Sequence, residues 1–262
     1  MFRKRNLQIT QRILRGLSGF LEFVPTQCIL CRRTTYAPVS LCAGCVAELP
    51  VPLHPCAICG EEIPGTLYSI FCSRCLTQPP PFALCRSALL YQPPVNRLIT
   101  SFKFSARFEI GKALSYLLCK QFIAHYNELD AGFPNALVPV PLHNKRLQQR
   151  GFNQALEICK VLAGHSRIKL QCDLLFRCRH TAPQSKATSL AARRKNLHSA
   201  FRVAASRTDT HSRNAQTTTI PEHIALVDDV VTTGSTVAEA AMMLRRAGVQ
   251  QVDVWCLARA NR

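Results

Sequence analysis

The sequence predicts an α/β protein in which a parallel sheet is flanked by helices, preceded by a small cysteine-rich module. The sheet is predicted from residues 224–257, where an apolar strand, a helix and a second apolar strand follow one another as a βαβ crossover. The module is predicted from four C-x-x-C pairs between residues 28 and 75. Three consecutive prolines, at 79–81, stiffen the chain after the module and mark a boundary.

The length and composition of the chain are typical of one α/β domain accompanied by a second, much smaller folded unit. The chain has 262 residues, of which 47% are apolar, so a packed core is expected. The formal net charge of +18 favours polyanionic partners: nucleic acid, phosphorylated substrates or an anionic membrane face. Charge alone does not choose among these. No apolar run approaches the roughly 18 residues of a membrane helix, so no transmembrane segment is predicted.

Residues 1–25 are predicted to form a basic amphipathic helix. The leucines that share one helical face are Leu7, Leu14, Leu17 and Leu21. Such a helix packs on its own protein, on a partner or on a membrane surface, and these alternatives stay open. Arg12 and Arg15 interrupt the apolar stretch and no small-residue cleavage site follows, which argues against a secretion signal. We therefore expect a cytoplasmic protein, with the inner face of the membrane as the alternative location.

Residues 26–82 are predicted to form a double zinc ribbon. A C-x-x-C turn points two sulfurs at one ion, and two such turns complete a tetrahedral, closed, structural zinc site. We pair the turns in sequence, and crossed pairing of the first turn with the third is the open alternative. The predicted ligands of the first site are Cys28, Cys31, Cys42 and Cys45, and those of the second are Cys56, Cys59, Cys72 and Cys75. A disulfide framework is disfavoured because it needs an oxidising compartment.

From residue 87 onward the apolar pattern predicts the elements of the sheet domain in chain order. Strands are predicted at 87–91, 136–140, 224–227 and 252–257. Helices are predicted at 95–126, with a break around 105–108, at 154–163 and at 235–247. Gly248 is the predicted C-cap of the last helix. Together these elements predict one α/β domain over 86–262.

The turn of the βαβ unit, IALVDDVVTTGSTVAEA, carries the chemistry. Asp228 and Asp229 end the predicted strand, and a loop over 230–236 enters the N-terminus of a helix, where outward N–H groups and the helix dipole favour an anion. Gly234 lets the backbone approach a phosphate closely. The loop hydroxyls belong to Thr232, Thr233, Ser235 and Thr236. Since the acids favour hydroxyls and the loop favours phosphate, the pattern predicts a sugar phosphate as ligand. The alternative is that the acids only cap the helix.

The residues of this turn, together with other stretches of the chain, resemble those of a known family. VDDVVTTGST resembles the motif with which type I phosphoribosyltransferases bind phosphoribosyl pyrophosphate (PRPP). The whole chain resembles the ComF family of competence and DNA-utilisation proteins, also called GntX-like. The further stretches that carry this resemblance are the cysteine module, VPVPLHNKRLQQRGFNQA at 138–155 and RCRHTAPQSKATSLAARRKNLHSAF at 177–201. The resemblance implies a type I phosphoribosyltransferase fold for 86–262.

The resemblance also implies roles for particular residues. Asp228 and Asp229 match the acidic pair that faces the ribose hydroxyls and serves catalysis. The matching PRPP cradle comprises Val230, Thr232, Thr233, Gly234, Ser235 and Thr236. The positions that match pyrophosphate-contacting or mobile-loop residues are Arg146, Arg150, Gly151, Lys103 and Arg193. Magnesium is expected to arrive with the pyrophosphate of PRPP and to need few protein ligands.

Three functions follow as hypotheses. The first is a PRPP-binding phosphoribosyltransferase with an unknown acceptor, implicated in the uptake or utilisation of external DNA. The second is a non-catalytic protein that binds single-stranded nucleic acid, with DNA and DNA-uptake proteins as partners. The third is a PRPP-sensing regulator without turnover. The aromatic candidates for base stacking are Tyr91, Phe102, Phe104 and Phe108, and their clustering predicts a core more than a stacking platform.

Overall fold

A computed structural model describes residues 25–63, 69–128, 132–178, 200–204 and 220–261 of the chain. The described residues form two compact units, one within 1–49 and the other within 50–262. The helix predicted over 1–25 falls, except for its last residue, outside the described residues. None of the described helices is long and apolar enough to cross a bilayer.

The first unit is a small knuckle-and-helix fold. Strands β1 (Thr26–Gln27) and β2 (Thr34–Thr35) pair antiparallel, and helix α1 (Ala43–Ala47) follows. The turn between the strands closes with the Cys28 amide, which donates to the Arg33 carbonyl at 2.9 Å. Buried Leu41 and Leu49 flank α1, so this unit packs around its cysteines and very few apolar side chains.

The second unit opens with a similar knuckle. Its turn is closed by the Gly60 amide, which donates to the Cys56 carbonyl at 3.0 Å, and by a bridge between Pro55 and Glu62. Helix α2 (Ser73–Thr77) begins directly after Cys72. The second cysteine cluster therefore belongs to the same compact unit as the sheet.

A five-stranded, all-parallel sheet forms the centre of the second unit, which confirms the predicted α/β class. The sheet strands are β3 (Leu84–Leu90), β4 (Ala136–Pro139), β5 (Lys169–Leu170), β8 (His223–Val231) and β9 (Gln251–Arg259). Their order across the sheet is β3-β9-β8-β4-β5. A separate antiparallel pair consists of β6 (Leu175–Arg177) and β7 (Phe201–Val203).

Helices cover the sheet and bury its apolar strands. They are α3 (Val95–Ser105), α4 (Phe108–Glu128), α5 (Asn144–Arg150), α6 (Gln154–Ser166) and α7 (Ser235–Arg246). Helix α4 packs on α6, β3 and β9, whereas α7 packs on β7, β8 and β9. The predicted break near 105–108 is confirmed, because Ala106 has the left-handed φ of 48° and ends α3.

The strand that carries the acidic pair is longer than predicted. The prediction ended it at residue 227, but pairing with β9 continues to Val231, which lies opposite Arg259. Asp228 and Asp229 are therefore residues of the strand itself rather than of the loop that follows it. Helix α7 ends at Arg246, one residue before its predicted end. Gly248 then follows the cap residue Ala247 with the left-handed φ of 110°.

Candidate functional site

Eight cysteines form two compact clusters of four, and each cluster could hold a metal ion. In both clusters the ligand sulfurs all lie within 4.8 Å of one another. The Cys31 and Cys42 sulfurs are 3.7 Å apart, and those of Cys59 and Cys72 are 3.6 Å apart. A tetrahedron with metal–sulfur bonds of about 2.3 Å has edges of about 3.8 Å, so the sulfur spacing fits zinc. The sequential pairing is confirmed and the crossed pairing is wrong.

Backbone amides favour one thiolate in each cluster. Burial raises the pKa of Cys28, but hydrogen bonds from the amides of Cys31, Cys42 and Leu30 outweigh it and lower that pKa to about 6. The same balance lowers the pKa of Cys56 to about 7. The thiolate is the form that binds metal, so these amides prepare the clusters for metal binding.

An acidic residue and a lysine form a largely buried ion pair at the carboxyl end of β8. Asp229 is only 8% exposed, and Lys103 Nζ of α3 lies 3.0 Å from its Oδ1 atom. The Asp229 amide donates to Asp228 Oδ1 at 2.8 Å. Burial, followed by the charge of Asp229, raises the pKa of Asp228 to about 7. The two carboxylates thus share one site in which a second negative charge is disfavoured.

The loop after β8 presents unbonded amides at the start of α7. Gly234 adopts the left-handed φ of 78° immediately before the helix begins at Ser235. The hydroxyls of Thr233 and Ser235 lie 2.7 Å apart. Within the described ranges, the amides of Thr232, Gly234 and Thr236 donate to no protein acceptor. Such amides at a helix N-terminus are suited to an anion.

Arginines gather beside the acidic pair. The pKa of Arg150 is lowered, mainly by burial and also by the positive charge of Arg146, while the charge of Asp229 opposes this change. Burial likewise lowers the pKa of Arg177, as does Arg146, while Asp228 and Glu239 raise it. Arg177, which ends the short strand β6, is not among the site residues predicted from the sequence. The sequence signal for it is a charged residue beside a short apolar segment, within the stretch 177–201 that resembles the family.

The RGFNQ stretch shapes the backbone between α5 and α6. Gly151 ends α5 with the left-handed φ of 78°. Asn153 caps α6, since its Oδ1 accepts from the Ala155 amide at 3.1 Å while its Nδ2 donates to the Val140 carbonyl at 3.1 Å. Arg150 Nη1 donates to Gln154 Oε1 at 3.0 Å. This local geometry holds Arg150 near the acidic pair.

The aromatic candidates divide between core and surface. Phe102 is buried, as predicted, and its ring packs on Phe152 with a centroid distance of 5.4 Å. Phe104 and Phe108, in contrast, are 69% and 49% exposed. The Arg150 guanidinium lies 5.1 Å from the centre of the Phe104 ring. The prediction of a core cluster is therefore wrong for these two rings.

The structure brings most of the predicted site residues to one end of the sheet. Lys103 and Arg150 lie close to the acidic pair, and the loop follows it along β8. Val230 is a half-buried residue of that strand, and Arg146 is half-buried on α5. Gly151 is exposed and acts through its backbone turn. Arg193 lies outside the described residues.

Known proteins are similar to this chain over most of its length. It is 36% identical over 232 residues to the DNA utilization protein YhgH of Escherichia coli (strain K12), covering 88% of this chain and 89% of that protein. It is 34% identical over 244 residues to Competence protein F of Haemophilus influenzae, covering 92% and 100%. Competence protein ComFC of Streptococcus pneumoniae is 26% identical over 174 residues, covering 66% and 67%. No model of a known protein family matches the chain.

Proposed function

Because the chain belongs to the ComF family of competence and DNA-utilisation proteins, we propose that it serves the uptake or utilisation of external DNA and binds PRPP or a related sugar phosphate. One observation carries the ligand assignment: two carboxylates at the end of β8 lead into a loop in which the amides of Thr232, Gly234 and Thr236 have no acceptor among the described residues. A sugar phosphate offers hydroxyls to the carboxylates and a phosphate to the loop amides.

The proposed ligand lies along the carboxyl end of β8. Its ribose hydroxyls donate to Asp228 and Asp229, and its 5-phosphate accepts from the amides and hydroxyls of the loop. The loop residues in this role are Thr232, Thr233, Gly234, Ser235 and Thr236. Lys103 and Arg150 supply positive charge for the pyrophosphate. Magnesium would be held largely by that pyrophosphate and would need few protein ligands.

The reaction that suits these residues is phosphoribosyl transfer. The bond between the ribose C1 atom and pyrophosphate breaks, its electron pair leaves with pyrophosphate, and a nucleophilic atom of the acceptor bonds to C1. The sugar becomes cationic on the way, and the negative charge of the acidic pair stabilises that cation. Arg146 and Arg150 stabilise the charge that develops on the leaving group. No covalent nucleophile of the protein is needed, since positioning supplies much of the rate.

Both cysteine clusters are proposed to hold structural zinc. Four thiolates satisfy a tetrahedral ion and leave no open position for a substrate or water. The proposed role is to fold segments that contain few apolar residues, because metal binding adds directly to folding free energy in such small units. In this proposal zinc takes no part in the transfer reaction.

A second candidate function is binding of single-stranded DNA in the cytoplasm. The observation that favours it is the exposed ring of Phe104, with Arg150 over its face and Lys103 next to it in the chain. An exposed ring beside cations is what single-stranded nucleic acids require, because bases stack on the ring and phosphates meet the charges. The formal net charge of +18 also favours binding to the phosphates of DNA. This function would share Lys103 and Arg150 with the proposed PRPP site.

Titration calorimetry with PRPP and magnesium tests the main proposal. We expect saturable binding by the wild-type protein and much weaker binding by Asp229→Ala; equal affinities for the two proteins would remove the assignment. Release of pyrophosphate is then measured with a panel of nucleobases and with single-stranded DNA as acceptors. Release that depends on one acceptor identifies a transferase, whereas binding without release with every acceptor identifies a PRPP sensor.

A further inference from the structure

A buried arginine connects the second cysteine cluster with the loop over 230–236, which is proposed to bind phosphate and is named the phosphate loop. Arg259, the last residue of β9, is 1% exposed. A guanidinium remains charged in a protein, so burial is tolerated only where its N–H groups find acceptors and an opposite charge. Besides the neighbouring Ala260 carbonyl, which accepts from Nη1 at 2.9 Å, the partners of Arg259 come from two places: the end of β8 with the loop that follows it, and the turn that carries Cys59.

On the loop side, Arg259 holds carbonyl groups. Its Nη1 atom donates to the Val231 carbonyl at 3.0 Å and to the Thr232 carbonyl. In a trans peptide the carbonyl and the following N–H point in opposite directions. With the carbonyls of Val231 and Thr232 held toward Arg259, the amides of Thr232 and Thr233 are turned away from it. Arg259 therefore orients two amides of the loop that is proposed to bind phosphate.

On the metal side, Arg259 holds the cysteine turn. Its Nε atom donates to the Cys59 carbonyl at 3.0 Å, and its Nη2 atom lies 3.4 Å from Glu61 Oε2. Cys59 is a predicted metal ligand, and Glu61 follows it by two residues in the same turn. The position of both acceptors depends on the fold of this turn, which its cysteines stabilise when they bind an ion.

The same turn is seated tightly against the sheet. A Cβ atom on Gly60, whose φ is 66°, would lie 2.6 Å from the Cys85 carbonyl oxygen of β3. The Cys85 amide donates to the Ile58 carbonyl at 2.6 Å. Beside this connection a cavity of about 280 Å³ lies between the cluster and the loop, and Cys75, Thr233 and Arg259 are among the residues of its wall. A displaced turn would therefore act on the loop through Arg259.

We propose that Arg259 is a positioning residue that couples metal occupancy of the second cysteine cluster to the anion-binding form of the phosphate loop. With the ion bound, the Cys59 carbonyl and the Glu61 carboxylate fix the guanidinium, and the guanidinium fixes the loop carbonyls. Without the ion the turn loosens, and the loop loses its support. The identity of the ligand rests on the proposed function, but the coupling concerns the protein alone.

The first test compares cysteine variants of the full chain. Cys75→Ser removes a ligand from the second cluster, and Cys45→Ser is the matched control in the first. Metal analysis should show one ion lost from each. Hydrogen exchange is followed at the amides of Ala238 and Ala260, which bond to the Gly234 and Val231 carbonyls at the two ends of the loop. We expect about tenfold faster exchange there, and about tenfold weaker PRPP binding, in Cys75→Ser alone.

The second test leaves the cluster intact and does not depend on folding without metal. Arg259→Gln should retain both ions, yet show the same faster exchange and weaker PRPP binding. Glu61→Gln removes a carboxylate charge that Arg259 shares with Arg74, whose Nη2 atom lies 2.9 Å from Glu61 Oε2, and should show a smaller change in the same direction. Arg86→Gln is the control, because Arg86 Nη1 donates to the Ala57 carbonyl of the same turn at 2.9 Å but contacts no loop residue.

The outcomes separate this inference from the proposed function. Exchange and affinity within about twofold of wild type in Arg259→Gln would overturn the coupling, as would an unchanged loop in metal-depleted Cys75→Ser. If wild-type protein does not bind PRPP, the proposed function fails while the exchange measurements still decide the coupling. If Cys75→Ser does not fold, Arg259→Gln and Glu61→Gln decide it.

Discussion

Lys103 Nζ lies 3.0 Å from Asp229 Oδ1, although the two residues are more than 120 positions apart in the chain. Both side chains are largely buried, at 17% and 11% exposed. Breaking such a pair leaves a charge with poor solvation, so the pair fixes the Asp229 carboxylate in one place. The lysine also puts one positive charge beside a carboxylate pair that would otherwise repel an anionic ligand.

Lys103→Met should weaken PRPP binding about tenfold or more, because it removes that positive charge and leaves Asp229 without its partner. Calorimetry with PRPP and magnesium measures the change. Lys112→Met, at an exposed lysine of α4, is the matched control and should bind like the wild type. Equal affinities for the Lys103 and Lys112 variants would show that Lys103 has no part in the site.

Asp228→Asn should stabilise the protein while it impairs the site. Burial and the Asp229 charge raise the pKa of Asp228 to about 7, above its ordinary value. A raised folded-state pKa means that this group favours folding fully at low pH, and that the contribution is lost as the pH rises through 7. Asparagine carries no charge, so its advantage over aspartate should grow from near zero at pH 4 to about 2–4 kcal/mol at pH 8.

Urea unfolding of the wild type and of Asp228→Asn at pH 4 and at pH 8 measures this difference. Asp173→Asn changes an exposed aspartate and should show no such growth with pH. PRPP binding by Asp228→Asn should fall about tenfold, since an amide oxygen is a weaker acceptor for ribose hydroxyls than a carboxylate. A variant that is no more stable than wild type at pH 8 would mean that Asp228 is well solvated.

Local patterns in the sequence were enough to predict the parallel sheet, the break before α4 and both cysteine clusters. The βαβ spacing and the C-x-x-C turns are short-range signals, in which neighbouring residues determine the structure directly. The extension of β8 past Asp228 depends instead on pairing with β9, where Val231 meets Arg259. A tertiary contact of this kind cannot be predicted from the local sequence of residues 228–231.

The two arginines that sequence analysis did not single out, Arg177 and Arg259, show the same limit. Arg259 binds Cys59, which is 200 positions away, and no spacing rule connects them. The available signal was weak: one charged residue at the end of the apolar strand VDVWCLAR. A charged side chain in such a strand needs buried partners. Its presence therefore predicts a contact but does not identify the residues that make it.

Metal analysis of the purified protein should give about two zinc ions per chain, and Cys45→Ser and Cys75→Ser should each reduce the count to about one. The reason is that the sulfurs form two separate sets rather than one shared cluster. Cys119→Ser changes a buried cysteine outside both sets and should retain both ions. Loss of both ions from either single variant would contradict two independent sites.

Single-stranded DNA should bind with an affinity that falls steeply with salt, because phosphate contacts release counterions. Phe104→Leu should weaken this binding about tenfold by removing the stacking ring. Phe133→Leu changes another partly exposed ring, which packs beside Phe122 and Tyr126, and is the matched control. Binding that does not respond to salt, or equal losses in both variants, would remove the nucleic-acid hypothesis.

Ribose 5-phosphate should compete with PRPP about tenfold better than 2-deoxyribose 5-phosphate does. The deoxy sugar lacks one hydroxyl, and a buried carboxylate oxygen left without a donor costs about 1–3 kcal/mol. Asp229→Asn should reduce the preference for ribose 5-phosphate, while the dissociation constant of inorganic phosphate should be the same for both proteins because phosphate contacts only the loop. Competition calorimetry measures all three ligands. Equal competition by the two sugars in the wild type would mean that the loop binds an anion but the acidic pair does not recognise the sugar.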